Sequence, residues 1–330
     1  MRKTVKDKKR KIIRGALVAV AVVFLIAAIL LLLRGWEEQQ GVFPEQEVAQ
    51  VSQNHNGKDY VLKDNIETFL VMGLDKFEGI TQESYNNDRQ ADFLMLFVFD
   101  NSQKKCTALH INRDTMADIN VLGVAGNKVD TVNKQIALAH TYGNGKDVSC
   151  RNTSDAVSKL LLDSKINHYV SLTMDSVAVL NDAVGGVEVQ VLDDFRGIDD
   201  TLVKGQTVRL MGEHALNYVR TRYGLEDSSN NTRMERQRQY LTALHKKAVE
   251  CADADDEFVV EALVKMSDYI VSDRSVTQLQ DLAEKFTEYE FTEIVSLEGE
   301  SREGKEFMEF YPDETSLKQT VIDLFYEPKK

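Results

Sequence analysis

Hydrophobic positions follow three rhythms along this chain, and each predicts a different element. Residues 15–33 read GALVAVAVVFLIAAILLLL, an uncharged run long enough to cross a bilayer core. Residues 68–74 (TFLVMGL) and 93–99 (FLMLFVF) are short, nearly continuous apolar runs, as in strands buried on both faces. Residues 106–112 (CTALHIN) alternate more, and the short Asp100-Asn101-Ser102-Gln103 connection before them favours antiparallel neighbours. Helical periodicity is read at 131–141, 154–163 (with Thr153 or Ser154 as cap), 175–183, 212–220, 233–250, 257–270, 276–288 and 313–325. Further strands are expected at 168–173, 187–192, 291–297 and 306–311. Interleaved elements of this kind predict an α/β fold, a central mixed sheet flanked by helices on both faces.

Charge divides the chain further. The 330 residues carry a net charge of −13, yet residues 1–36 hold nine cations and one anion, a net of +8 that leaves −21 on the remaining 294. The cations precede the apolar run and GWEEQQ follows it, so the positive-inside rule puts the N-terminus in the cytoplasm. A cleaved signal peptide is the competing reading, but the run is long for an h-region and no A-x-A-like site precedes Arg34-Gly35-Trp36. The organisation expected is a cytoplasmic basic tail (1–14), a transmembrane anchor (15–34), a polar extracytoplasmic linker (35–62) and one folded domain (63–330). A body this acidic argues against a nucleic-acid partner. Three Cys without a CxxC pair argue against a disulfide scaffold or a cysteine zinc site. Cys106 and Cys150 could pair outside the cell, leaving Cys251 free.

The polar residues that bound the first three strands carry the candidate chemistry. Asp75 follows the first, Asp92 precedes the second, and Arg113 and Asp114 follow the third. In an antiparallel meander those points share one end of the sheet. Two carboxylates there suit a hard cation such as Mg²⁺, and an arginine beside them suits a phosphate; Asp and Arg at strand ends are also commonly just solvated. A second cluster places Arg220, Arg222, Arg233, Arg236 and Arg238 within nineteen residues. Arg233, Arg236 and Gln237 share one face of a helix's first turn, where the dipole disfavours cations, so an anionic ligand and a solvated basic face weigh equally. Gly143-Asn144-Gly145-Lys146 lacks the upstream Gly of a P-loop and reads as a turn. The six His form no HExxH pair, and no GxSxG elbow occurs.

Taken in order, MGLD (72–75), QADFLMLFVFD (90–100), INRDT (111–115), VGGVEV (184–189), GEHALNYVRTR (212–222) and RMERQ (233–237) resemble the LytR–CpsA–Psr family from about residue 64 to 330. The resemblance implies an extracytoplasmic, membrane-anchored phosphotransferase of a mainly Gram-positive lineage. Such an enzyme moves teichoic acid, capsule or a related glycopolymer from a polyprenyl-pyrophosphate carrier to peptidoglycan through a phosphodiester. Carried over by position, Asp75 and Asp92 resemble the Mg²⁺-linked aspartates (Mn²⁺ being an alternative). Arg113 resembles the catalytic arginine, and Arg220, Arg222, Arg233 and Gln237 the pyrophosphate set, to which Arg236 is added as a neighbour. The family usually has Arg two residues before the second Asp; here Gln90 stands there, and either Arg89 substitutes through a local bulge or that contact is lost. Ala117 occupies a position where some members carry a further Arg. A prenyl chain needs an apolar tunnel, which strands 69–74 and 93–99 could line, although dense packing is the preferred explanation of those runs. A pyrophosphate hydrolase and a non-catalytic lipid-phosphate binder are the alternatives.

Overall fold

The computed structural model describes residues 53–55, 57–74, 88–225 and 229–329. The expected tail and anchor, most of the linker, and Asp75 lie outside the described residues. In the folded unit β1 (Gln53–His55) and β2 (Lys58–Leu62) lead into β3 (Ile66–Leu74), β4 (Ala91–Asp100) and β5 (Lys105–Ile111). The hairpin β6 (Met116–Leu122) and β7 (Lys128–Gln135) follows, then α1 (Asp147–Leu160), β8 (His168–Thr173), α2 (Ser176–Ala183), β9 (Val187–Gln190), β10 (Thr207–Leu210) and α3 (Glu213–Arg220). The chain continues through α4 (Asn230–Ala254), α5 (Phe258–Met266), β11 (Ile270–Ser272), α6 (Val276–Glu288) and β12 (Glu290–Ser296). It closes with β13 (Gly299–Glu303), β14 (Met308–Pro312), α7 (Glu314–Phe325) and β15 (Tyr326–Pro328).

The apolar runs build the meander their spacing predicts. β3 pairs antiparallel with β4, and β4 with β5. Asp100 makes the second connection tight by accepting from Ser102 N at 3.0 Å and Gln103 N at 2.9 Å. The completed sheet runs β11-β8-β3-β4-β5-β12, with β3–β8 and β5–β12 parallel, so it is mixed. Successive residues of each strand alternate between faces. Leu94, Leu96 and Val98 join α1 and α7 residues such as Val157 and Phe325 in one core. Phe97 and Phe99 face the other way, toward Leu241 of α4 and Leu282 and Phe286 of α6. Helices therefore cover both faces. A third cluster joins the β9–β10 hairpin to α3 and α4 around Phe195 and Tyr218.

Residues 131–141 are not a helix. β6 and β7 form an antiparallel hairpin with Ile119 opposite Val132, turned at Gly126, whose φ is +74°. Only Ile136–Thr141 coils, as a 3₁₀ segment that buries Ile136, Ala137 and Ala139. The apolar residues at the end of the window belong to that segment, and β-branched Val129, Thr131 and Val132 belong to a strand. The helix expected at 154–163 begins earlier, at Asp147. Thr153 and Ser154 are interior to it and hydrogen-bond back to Ser149 O and Cys150 O. The window 257–270 breaks after α5 to give edge strand β11, paired with β8. Cys106 faces the α6 side and Cys150 the α1 side, so the sheet separates them, and all three cysteines are free thiols. Burial pushes the Cys106 and Cys150 thiols up to about 12.

Candidate functional site

A slip in the β3–β4 ladder prepares the site. Gly73 pairs with Phe93 and Leu74 with Ala91, so the register skips Asp92. An extra residue of this kind re-aims its side chain and bends the strand. Gly73 permits the close approach, because a Cβ there would lie 2.8 Å from Phe93 Cβ. Beyond the slip Ala91 faces the α1 core, while Gln90 and Asp92 both turn to Arg113.

Arg113, just beyond β5, donates one terminal nitrogen to Asp92 Oδ1 and the other to Gln90 Oε1; its Nε lies 3.5 Å from Asp114 Oδ1. Arg233 reaches in from the first turn of α4, 6% exposed. It donates to Asp92 O at 3.3 Å and to Asn230 Oδ1 at 2.6 Å. Burial, then the neighbouring guanidiniums of Arg113 and Arg222, push its pKa down to about 10. Such crowding of like charges is costly unless an anion relieves it. Arg222 completes the group, its guanidinium 5.2 Å from the Tyr223 ring centroid. Asp114 is buried among the three. Burial raises its pKa, and Arg113, Arg222 and Arg233 oppose that rise; Gln135 Nε2 donates to it at 2.9 Å.

The other expected residues separate. Arg220 is exposed at the end of α3. Arg89 is buried, burial lowers its pKa, and its carbonyl bonds His140 Nδ1 at 2.9 Å. The slip does exist, but it brings Gln90 rather than Arg89 to Arg113. Arg236 is corrected outright: at 0% exposure it is ion-paired to Asp193, bonded to Thr221 O and 5.3 Å from the Phe195 ring centroid. It staples α4 to the loops after β9 and α3. Gln237 donates to Val219 O at 3.1 Å, a structural tie, though it also lines the cavity described next. Gln90, Asp114 and Asn230 were not among the expected site residues. The sequence carried a signal for two of them: Asp114 follows Arg113 at the strand end, and Gln90 stands where the family usually has Arg; Asn230 carried none.

Behind this rim the apolar side chains do not close up. A cavity of about 270 Å³ lies between β3, β4, β8 and helices α4–α6, lined by residues including Phe69, Val71, Leu172 and Leu263. A second of about 150 Å³ shares Val71, Leu172 and Leu241 with it and extends to Gly73, Phe93 and Gln237 beside Asp92. The two apolar strands thus pack into a core on the α1 side and border this hollow with residues of the other face. The rim offers hard oxygen donors, as Mg²⁺ requires. Among the described residues no three His, Cys, Asp or Glu side chains gather into a metal cluster. Mg²⁺ commonly needs only one or two carboxylates plus substrate phosphate oxygens; the carboxylates at this rim are Asp92, paired to Arg113, and Asp114.

An α/β domain with a guanidinium-rich rim over an apolar hollow is thus the class of protein in hand. The chain belongs to the LytR_cpsA_psr family, whose model matches residues 34–324. It is 30% identical over 231 residues to the polyisoprenyl-teichoic acid–peptidoglycan teichoic acid transferase TagU of Enterococcus faecalis, covering 68% of each chain. It is also 30% identical over 181 residues to the TagU of Bacillus cereus (strain ATCC 14579), spanning 54% of this chain and 52% of that one. Among solved structures it resembles B. subtilis TagV (TM-score 0.59, 23% identity, 79% of this chain and 98% of that one). It likewise resembles TagT bound to LI-WTA (TM-score 0.60, 22% identity, 79% and 90%). These likenesses show the fold.

Proposed function

We propose that this chain transfers an anionic glycopolymer, such as teichoic acid or capsule, from a polyprenyl-pyrophosphate carrier to a peptidoglycan hydroxyl, forming a phosphodiester. The observation that carries this reading is the junction of the Asp92–Arg113–Arg233 rim with the apolar cavity at Gly73, Phe93 and Gln237. A lipid pyrophosphate has the same two parts in the same order, and the 30% identical E. faecalis relative carries a matching name.

In the reaction the acceptor oxygen attacks the sugar-linked phosphorus. The bond from that phosphorus to the bridging oxygen breaks, and prenyl phosphate leaves with the electron pair. Arg113, Arg222 and Arg233 bind the non-bridging oxygens and stabilise charge that grows on the leaving phosphate. Arg113 exchanges its bond to Asp92 for one to phosphate, which frees Asp92 to accept the hydroxyl proton or hold a cation. Asp92 and Asp75 would hold Mg²⁺ or Mn²⁺, which when bound would neutralise pyrophosphate charge. The cavity holds the prenyl chain. The reading includes residues 15–34 as a single-pass anchor with the folded domain outside the cell, where the acceptor lies. Among the described residues no helix is long and apolar enough to cross a membrane. Protease added to cells stripped of their wall should cut residues 64–330; protection of that segment until the membrane is lysed would refute that topology.

The test incubates the purified chain with a synthetic polyprenyl-pyrophosphate glycan and peptidoglycan oligomers, followed by mass analysis. A conjugate formed by the wild type and lost by at least about 10²-fold in Arg113→Ala, the scale of one lost oxyanion donor, is the expected result. Release of free glycan phosphate alone would make the protein a hydrolase, and no turnover would make it a binder.

A further inference from the structure

Across α4 from the apolar cavity lies a polar hollow of about 350 Å³, bounded by α4, β5 and the segment that joins β12 to β13. His110, Asn112, Asn231, Glu235, Arg238 and Ser296 contribute to its wall. One of these is odd for a merely structural surface. His110 is 1% exposed, yet its Nδ1 has no hydrogen-bond partner, and buried polar groups are ordinarily satisfied. Arg238 sits half-buried beside the same wall, its charge supported by the nearby Glu235 carboxylate while its hydrogen bond goes to the neutral hydroxyl of Ser296 at 3.1 Å.

The hollow is wired to the reacting rim. Asn112, which precedes Arg113, donates to Asn231 Oδ1 at 3.3 Å and accepts from Asn230 Nδ2 at 2.6 Å. Asn230 in turn accepts from Arg233 at 2.6 Å. Burial, followed by the charges of Arg238 and Arg233, lowers the pKa of His110 to about 3. The ring is therefore neutral at physiological pH and offers one donor and one acceptor. Neutral imidazole, two amides, a hydroxyl, a carboxylate and a guanidinium together match the mixed donors and acceptors of a carbohydrate. The volume falls at the small end of the roughly 300–1,000 Å³ of small-molecule sites, enough for one sugar rather than a polymer.

We propose that this hollow seats a sugar of the incoming acceptor glycan, with an acidic or acetamido substituent against Arg238 and hydroxyls on His110, Asn231 and Glu235. The proposal rests on the transfer reading, in which the donor's lipid occupies the cavity on the other side of α4. In-line displacement then asks for the acceptor to approach from a side the lipid does not fill, and the hollow borders that approach at Asn112.

The test titrates the full chain in detergent with two probes. One is a peptide-free tetrasaccharide of alternating N-acetylglucosamine and N-acetylmuramic acid, and the other is geranylgeranyl pyrophosphate. Arg238→Gln should weaken tetrasaccharide binding about tenfold, the scale of one lost charged hydrogen bond, and leave pyrophosphate affinity unchanged. In the transfer assay it should raise KM for the acceptor by a similar factor. Equal tetrasaccharide affinity in wild type and variant would overturn the proposal. A wild type that binds the tetrasaccharide, loses it in the variant and transfers nothing would sink the transfer reading and leave the hollow a sugar site. If Arg238→Gln loses both ligands its fold has failed, and Glu235→Gln, at an exposed position, decides by the same two titrations.

Discussion

Arg233 and Arg236 stand three residues apart on α4 and have opposite fates. Their spacing puts them on one helix face, which is what the sequence could report. It could not report that Asp193 comes in from the loop after β9 to meet Arg236, or that Arg233 meets only a backbone carbonyl and the neutral Asn230 amide beside two other guanidiniums. Charge pattern alone does not separate an internal ion pair from an anion clamp, because both are arginines in a turn. The difference is measurable. Arg236→Met strands the Asp193 carboxylate and should cost about 3–5 kcal/mol in chemical denaturation, the usual scale for breaking a buried pair. Arg233→Gln relieves like-charge crowding, so its denaturation midpoint should stay level or rise while affinity for a prenyl pyrophosphate falls. The opposite assignment of effects would return Arg236 to the site.

Among the elements, the meander was legible because buried strands and a short turn leave few alternatives. The convergence of Asp92 with Arg113 followed from it. The one-residue slip at Asp92 was left open: the family position pointed to Gln90 and a local bulge to Arg89, and only the ladder decides that Gln90 turns to Arg113. The β6–β7 hairpin was misread because the apolar 3₁₀ segment after it shared its window. The hollow behind β3 and β4 was not decided by the sequence: an apolar run looks the same whether it packs against side chains or lines a space. Filling that space tests its use. Leu172 borders both cavities, and Leu172→Trp should weaken binding of geranylgeranyl pyrophosphate by about tenfold or more, given about 0.8 kcal/mol per buried methylene. Inorganic pyrophosphate, which carries no chain, should bind as before. Equal loss for both probes would mean that the substitution damages the rim and that the cavity holds no chain.

For the whole molecule, the fold brings three separated stretches of sequence to one place: the start of β4, the end of β5 and the first turn of α4. Each supplies groups the others lack, and the apolar cavity opens behind them. The asymmetry of charge, +8 in residues 1–36 and −21 beyond, fits a chain whose basic end faces the cytoplasmic leaflet. The most direct measurement follows the phosphorus atoms. With ³²P in the sugar-linked phosphate of a polyprenyl-pyrophosphate glycan, the label should become covalently bound to peptidoglycan while unlabelled prenyl phosphate is released. Label that leaves on the lipid would contradict attack at that phosphorus and with it the assignment of the rim, and label that ends on soluble glycan in the presence of peptidoglycan would contradict transfer to that acceptor.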